Sequence, residues 1–243
     1  HVVLPGASFL EKEGTFTNGE RRIQRVNQVV KPIGEAKVDG QIVVDIMNRM
    51  GYSQPDYSAK NLLEEICQIV PFFAGVKWDE LGVTGKQWPV LPDGSDTKIL
   101  HKDEFKRGKG KFVFKGYVES PEILNHADEF PFILTTNRVL EHYNAGTMTR
   151  RTGNANIITE DILMVNPNDA KRLNILEEDM VYLESARGNV TIKAHITDEV
   201  KPGILSTTFH FPELMLNVVT SDVSDEIAMC PEYKVVSCRI KKL

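Results

Sequence analysis

Between residues 130 and 243 the apolar residues fall into short runs closed by turn-forming residues, and only one short helix interrupts them. The runs are Phe132-Ile133-Leu134-Thr135-Thr136, Asp161 to Val165, Met180 to Ser185, Val190 to Thr197, Ile204 to Phe211 and Tyr233 to Ile240. In the fourth, Val190, Ile192, Ala194 and Ile196 alternate with polar residues, the period of a strand with one face inward. Ala186-Arg187-Gly188-Asn189 supplies a hairpin turn and Pro202-Gly203 a further turn. Asn166-Pro167-Asn168-Asp169 starts a helix to Leu173, with Asn as the N-cap, Pro at the first helical position and Asp in the first turn. Many short strands around one short helix predict a small closed barrel.

The preceding residues read differently. Glu11 to Arg25 is rich in charge, Gly, Thr and Asn, the composition of a loop with at most a short extended piece. In Gln41 to Met50, the residues Ile42, Val43, Ile46 and Met50 share a helical face, and Gly51 stands at the C-terminal cap position. A second helix follows Ser58, with Leu62, Leu63, Ile66 and Ile69 expected inward. From 76 to 129, Trp88-Pro89, Pro92-Asp93-Gly94 and a basic run from Lys98 to Lys115 describe a long excursion. The alternation of Phe112, Phe114 and Tyr117 suggests a short strand closing it. His1-Val2-Val3-Leu4-Pro5 reads as a strand end entering a loop, and with no initiator Met the chain reads as part of a longer polypeptide.

Bulk properties narrow the function classes. The net charge of −5 over 243 residues argues against a dedicated nucleic-acid binder, while leaving room for a local basic pocket. Cys67, Cys230 and Cys238 lack CxxC spacing and are odd in number, so neither a disulfide framework nor an iron–sulfur or zinc site built from this chain alone is expected. No apolar run approaches the ~20 residues of a membrane span. The expected setting is a reducing, cytoplasmic compartment.

The segment richest in chemistry follows the first barrel strand: Thr135-Thr136-Asn137-Arg138-Val139-Leu140-Glu141-His142-Tyr143-Asn144-Ala145-Gly146-Thr147-Met148-Thr149-Arg150-Arg151. It concentrates hydroxyls, amides, an imidazole and three guanidinium groups. Arg suits bidentate phosphate contacts, and Thr and backbone N–H groups pin oxygens, so the run suits a phosphorylated, heteroatom-rich ligand. A solvated loop with incidental charge is the competing reading. His142 can equally hydrogen-bond its own loop, and His210, between Phe209 and Phe211, can equally be a satisfied barrel-edge histidine. Tyr233 can be packing with its hydroxyl at the rim.

This segment resembles the motif opening the C-terminal domain of the molybdopterin guanine dinucleotide oxidoreductases, the dimethyl sulfoxide reductase family. Gly146-Thr147-Met148-Thr149-Arg150-Arg151 after His142-Tyr143 looks like the formate dehydrogenase alpha (catalytic) subunits in particular. Val165 to Leu173, Glu178-Asp179-Met180-Val181, Arg187-Gly188-Asn189-Val190 and Pro231-Glu232-Tyr233-Lys234-Val235 are similar to that family's helix, strand, hairpin and closing motif. Val2-Val3-Leu4-Pro5, Glu13 to Asn18 and Arg21-Arg22-Ile23-Gln24 look like its central region. The resemblance covers nearly the whole chain and is weakest from 76 to 129.

The resemblance implies a mixed α/β chain: a partial central α/β domain over 1–75, an extended connecting segment over 76–129, and a six-stranded double-psi β-barrel over 130–243 that binds a molybdopterin dinucleotide. It implies that Thr136, Asn137, Arg138, Glu141, His142, Tyr143, Thr147, Met148 and Thr149 line one cofactor. It places His210, Asn217, Val219 and Thr220 toward its pterin and phosphates, and Tyr233 and Lys234 over it. The cofactor would be molybdopterin guanine dinucleotide carrying molybdenum or tungsten, and the reaction formate oxidation to carbon dioxide. The Cys or selenocysteine metal ligand, the catalytic His and Arg and a [4Fe–4S] cluster would lie in upstream domains of the same polypeptide. No catalytic or metal-ligating residue is therefore expected here, and this portion alone should be inactive and free of cofactor. Formate, the upstream domains and electron-transfer subunits are the implied partners, with no nucleic acid and no membrane insertion. The other readings are a related enzyme such as a nitrate reductase, and a stand-alone double-psi barrel adaptor, which would leave the clustered Thr, Asn, His and Arg unexplained.

Overall fold

A computed structural model describes residues 2–243, so the strand end expected at His1 lies partly outside the described residues. Two compact units divide the chain at Val113/Phe114.

The first unit opens with a hairpin of β1 (Gly14–Thr17) and β2 (Arg22–Val26). Its turn forms because the Asn18 carboxamide oxygen accepts from the N–H groups of both Glu20 and Arg22, at 3.0 Å each. Helices α1 (Asp39–Arg49) and α2 (Ala59–Ile69) follow, the second capped by the Ser58 hydroxyl on the Asn61 N–H. A two-residue β3 (Lys86–Gln87) then completes a three-stranded sheet on β2. The core gathers Ile23, Leu63, Val76, Trp78, Leu81 and Val90.

Several expectations change here. Residues 76–97 are not a connecting excursion: Val76, Trp78, Leu81 and Val90 are buried, and Gln87 pairs with Arg22. Their turn residues frame a short strand and 3₁₀ turns rather than a free loop. Phe112, Phe114 and Tyr117 form no strand and are 100%, 95% and 85% exposed, since alternation without a pairing partner makes no ladder. In α2 only Leu63 is buried, and α1 buries no residue, leaving Val43, Ile46 and Met50 exposed. Val2 to Pro5 belong to no strand.

The second unit begins with α3 (Pro121–His126), which the Ser120 hydroxyl caps. The barrel strands are β4 (Phe132–Thr136), β5 (Ile162–Val165), β6 (Met180–Ser185), β7 (Asn189–Ile196), β8 (Ile204–Thr207) and β9 (Val236–Lys242), with α4 (Pro167–Leu173) between β5 and β6. The closed order is β4-β8-β5-β7-β6-β9. Pairs β4–β8 and β5–β7 are parallel and the rest antiparallel, the interlocked arrangement of a double-psi barrel. Leu134, Leu163, Val165, Val181, Leu183, Leu205 and Val236 fill the interior with no exposed surface. Helix α4 is placed as its sequence requires: the Asn166 side chain caps the Asn168 N–H at 2.9 Å, Pro167 occupies the first turn, and Asn174 ends the helix in the left-handed region. β8 stops at Thr207, earlier than the apolar run, and β9 starts at Val236, later than Tyr233.

These pairings fix strand direction. β4, β6 and β8 run one way and β5, β7 and β9 the other. The connections 137–161, 186–188 and 208–235 therefore all leave the same rim, although they are far apart in sequence.

Candidate functional site

The rim is built from the ends of β4 and β8, which lie side by side with Thr136 opposite Thr207. Thr136 is buried and donates its hydroxyl hydrogen to the Tyr233 carbonyl at 3.4 Å, tying the third connection to the first. The Asn137 N–H donates to the Thr207 carbonyl at 2.8 Å, and its side-chain amide reaches the Ser206 hydroxyl. Asn137 is thus held in a fixed pose while remaining exposed.

His210 and Asp161 lock the two long connections together. His210 has no exposed surface. Its Nε2 accepts from the Val139 N–H at 3.2 Å, and its Nδ1 donates to the Asn144 carbonyl at 2.5 Å. These partners require the Nδ1–H tautomer and leave neither ring nitrogen for a ligand. The buried Asp161 carboxylate accepts from the Thr208 hydroxyl, from the His210 N–H at 3.1 Å and from the Phe211 N–H at 3.0 Å. Gly146, at φ +68°, lies against the same strut: a Cβ there would stand 2.6 Å from the His210 carbonyl oxygen.

His142 is likewise committed within its own loop. Its Nε2 donates to the Ile158 carbonyl at 2.9 Å, and its Nδ1 accepts from the Thr149 hydroxyl at 3.0 Å. The Thr149 oxygen in turn accepts from the Tyr143 N–H at 3.2 Å. The His142 ring packs edge-on to Phe211, with centroids 5.2 Å apart. Glu141 contributes its carbonyl to the Asn154 amide at 2.7 Å.

Of the four cations in these segments, Arg138, Arg151 and Lys234 have no carboxylate partner among the described residues, and Arg150 has one. The Arg138 guanidinium lies over the Phe209 ring, 4.6 Å from its centroid, a contact that orients the fork without using its donors. Lys234 is exposed next to Tyr233, and among the described residues neither cation has a carboxylate partner. Arg150, in contrast, is held bidentately by Glu213 at 2.6 and 3.0 Å and covers the Phe211 ring at 4.6 Å. Beside this run opens a cavity of about 580 Å³ walled by Phe209, Phe211, Met215 and Leu216 and edged by Asn144 and Asn217.

The expected residues are thus brought to one rim in different capacities. Asn137, Arg138, Tyr143, Thr147, Met148, Asn217 and Lys234 are exposed there, and Glu141, Thr149, Thr220 and Tyr233 are partly so. Thr136, His142 and His210 are buried struts behind them. Val219 is fully buried in the barrel core, so its side chain is packing. Sequence reasoning missed Asp161, Phe209 and Phe211. The bracketing of His210 by two aromatics was the one local signal; the clamp by Asp161 had none, because its partners lie about fifty residues away.

The donor set fits a dinucleotide. Phosphates need cations and N–H and O–H donors, which Arg138, Lys234, Asn137 and Thr147 provide. Flat heterocycles need an apolar wall with amide edges, which the cavity provides.

Comparison with known proteins agrees with this geometry. The family model described as "Molydopterin dinucleotide binding domain" matches residues 132–237, the whole rim and nearly all of the barrel, and that described as "Molybdopterin oxidoreductase" matches residues 1–49. The chain belongs to the molybdopterin oxidoreductases. This molybdopterin oxidoreductase chain is 41% identical, over its full length, to the F420-dependent formate dehydrogenase subunit alpha of Methanocaldococcus jannaschii, of which it covers 37%. It is 34% identical over its full length to the probable oxidoreductase YjgC of Bacillus subtilis, covering 25% of that protein. It therefore spans between a quarter and little more than a third of the length of these relatives. The acetylene hydratase of Pelobacter acetylenicus shares the fold, with a TM-score of 0.65 over 99% of this chain and 38% of that one at 18% identity.

Among the described residues no group of three or more His, Cys, Asp or Glu is arranged to hold a metal ion, and no helix is long and apolar enough to cross a membrane.

Proposed function

We propose that this chain is the C-terminal, cofactor-holding portion of a formate dehydrogenase catalytic subunit, gripping molybdopterin guanine dinucleotide at the barrel rim. One observation carries the reading: the strand directions bring the polar connections 137–161 and 208–235 to a single rim, where an apolar cavity is edged by the amides of Asn144 and Asn217 and walled by Phe209, the ring on which Arg138 lies. The similarity to formate dehydrogenase alpha subunits supports the choice of formate. An adaptor module would have no use for this convergence.

When bound, the cofactor would supply a molybdenum or tungsten centre for the two-electron oxidation of formate to carbon dioxide and a proton, with a [4Fe–4S] cluster in upstream domains and cytoplasmic electron-transfer subunits as the expected acceptors. The residues of this chain bind and orient. Arg138 and Lys234 neutralise phosphate or dithiolene charge. Asn137, Thr147 and Asn217 supply directional hydrogen bonds, while Thr149 and Thr220 brace the loops through the His142 ring and the Asn217 carbonyl. Glu141 accepts hydrogen bonds from a heterocycle, and Tyr143, Met148 and Tyr233 cover apolar surface and exclude water. Thr136, His142 and His210 keep the loops in register.

The test uses full-length enzyme carrying Arg138→Ala together with Lys234→Ala. Pterin and molybdenum per polypeptide should fall about tenfold or more, the cost of losing two charge-assisted contacts. Unchanged contents would refute the reading.

A further inference from the structure

Among the described residues of the barrel unit, one buried carboxylate is gripped by both terminal nitrogens of a guanidinium, and it is not one of the rim residues. Glu122, in the first turn of α3, is 1% exposed. Its two oxygens accept four hydrogen bonds: from the two terminal nitrogens of Arg187 at 2.7 and 2.8 Å, from the Ser237 N–H at 2.8 Å and from the Ser221 hydroxyl at 3.1 Å. Burial pushes the Glu122 carboxyl up, but the Arg187 fork, the Ser237 N–H and Ser221 outweigh it and hold it below the usual range.

Arg187 sits at the tip of the β6–β7 hairpin, the shortest of the three connections on the rim. Its remaining nitrogen, Nε, donates to the Thr220 carbonyl at 3.1 Å. The next residue, Gly188, comes so close to the 216–220 segment that a Cβ would stand 2.9 Å from the Val218 carbonyl oxygen. The hairpin tip thus presses on Val218 and holds Thr220, while Glu122 holds Ser221 one residue further on. A buried ion pair contributes little net stability compared with an apolar pair of similar size, because desolvation offsets its attraction. Its fixed fork does give direction, and here it is aimed at the stretch that carries Asn217 and Thr220.

We infer that Glu122 and Arg187 are positioning residues that fix the Asn217–Thr220 wall, so that the dinucleotide finds it already in place. This rests on the cofactor reading of the rim given above. Neither residue touches the cofactor; Arg187 acts through the Thr220 carbonyl, and Glu122 through the Ser221 hydroxyl and the Arg187 fork.

The experiment uses full-length enzyme with Glu122→Gln, with Arg187→Lys, and with Glu122→Leu and Arg187→Leu combined. Lys242→Met, which breaks the half-buried Lys242–Asp179 pair away from the rim, is the control. Three quantities are read: pterin per polypeptide, melting temperature, and hydrogen exchange at residues 217–221 compared with the barrel strands. All three test variants should lose about 10-fold or more in pterin retention, as when groups that orient a ligand-holding residue are removed. Exchange at 217–221 should accelerate while the strands stay protected. The Leu pair is decisive: it should restore melting temperature but not pterin retention, and Arg187→Lys should fail to rescue because lysine lacks the fork. Wild-type pterin content in the Leu pair, or acceleration spread evenly over the barrel, would overturn the inference. If Arg138→Ala with Lys234→Ala keeps its pterin while the Glu122 and Arg187 variants lose theirs, positioning stands and the phosphate role of the two cations falls.

Discussion

Asp161 offers the sharpest test of how the rim is held. Replacing it with Ala removes a buried acceptor of three hydrogen bonds and fills the space with nothing polar. The His210 N–H suffers most, because its residue has no exposed surface and no water can replace the carboxylate. The Phe211 N–H is partly exposed, and the half-buried Thr208 hydroxyl can rotate toward solvent. Hydrogen bonds to charged groups contribute about 1.5–3 kcal/mol each, and stranding a buried donor costs about 1–3 kcal/mol. Counting His210 in full at about 3 kcal/mol and the other two at the low end, about 1 kcal/mol each, gives about 5 kcal/mol for Asp161→Ala. Asp161→Asn, which keeps one acceptor oxygen, should cost about 1–2 kcal/mol. Native-state hydrogen exchange at Leu163 and Leu205 in the barrel core reads the loss. Fluorescence of the chain's two tryptophans, Trp78 and Trp88, reports on the first unit and serves as the internal comparison. A change within about 0.5 kcal/mol, the range of ordinary surface substitutions, would refute the clamp.

Gly146→Ala forces a Cβ against the His210 carbonyl at a φ that L-residues resist, so it should cost about 1–3 kcal/mol and lower pterin content in the full-length enzyme; unaltered melting would contradict the crowding. Cys230 is exposed, burial pushes the Cys67 thiol up, and burial drives the Cys238 thiol far up, so a thiol reagent should label Cys230 first and Cys238 only on unfolding, as mass spectrometry of labelled peptides would show. The Glu122 carboxyl is held below its unfolded value of 4.5, so its contribution to stability is present above that pH and is lost as pH falls through the lowered folded value. Acid unfolding of Glu122→Gln should accordingly show a shallower loss of stability below about pH 4.5 than the wild type, and superimposable slopes would count against the pair.

The barrel was legible because its signals are local. Alternation in Val190 to Ile196, the Asn166-Pro167 helix start and the Arg187-Gly188 hairpin each act within a few residues, and each is found where its pattern puts it. The site was legible only as a set of residues. Which of them touch and which support depends on contacts across the barrel: Val219 sits two residues from Asn217 yet points into the core, and His210 spends both ring nitrogens on backbone. Asp161 and Glu122 left no trace in sequence because a carboxylate announces itself only through partners brought from far along the chain. Residues 76–97 misled for the opposite reason. Their prolines and glycines mark turns truthfully, but the apolar residues between those turns belong to a core whose other half, Ile23 and Leu63, lies upstream.

The most direct measurement is a structure of the cofactor-loaded, full-length enzyme. The account predicts one dinucleotide on this rim, with Arg138 and Asn137 within hydrogen-bond distance of it and His142 and His210 still bonded to Thr149, Ile158, Asn144 and Val139 as here. A dinucleotide seated on the opposite rim, beside α4, with the 137–161 and 208–235 connections facing solvent, would contradict it.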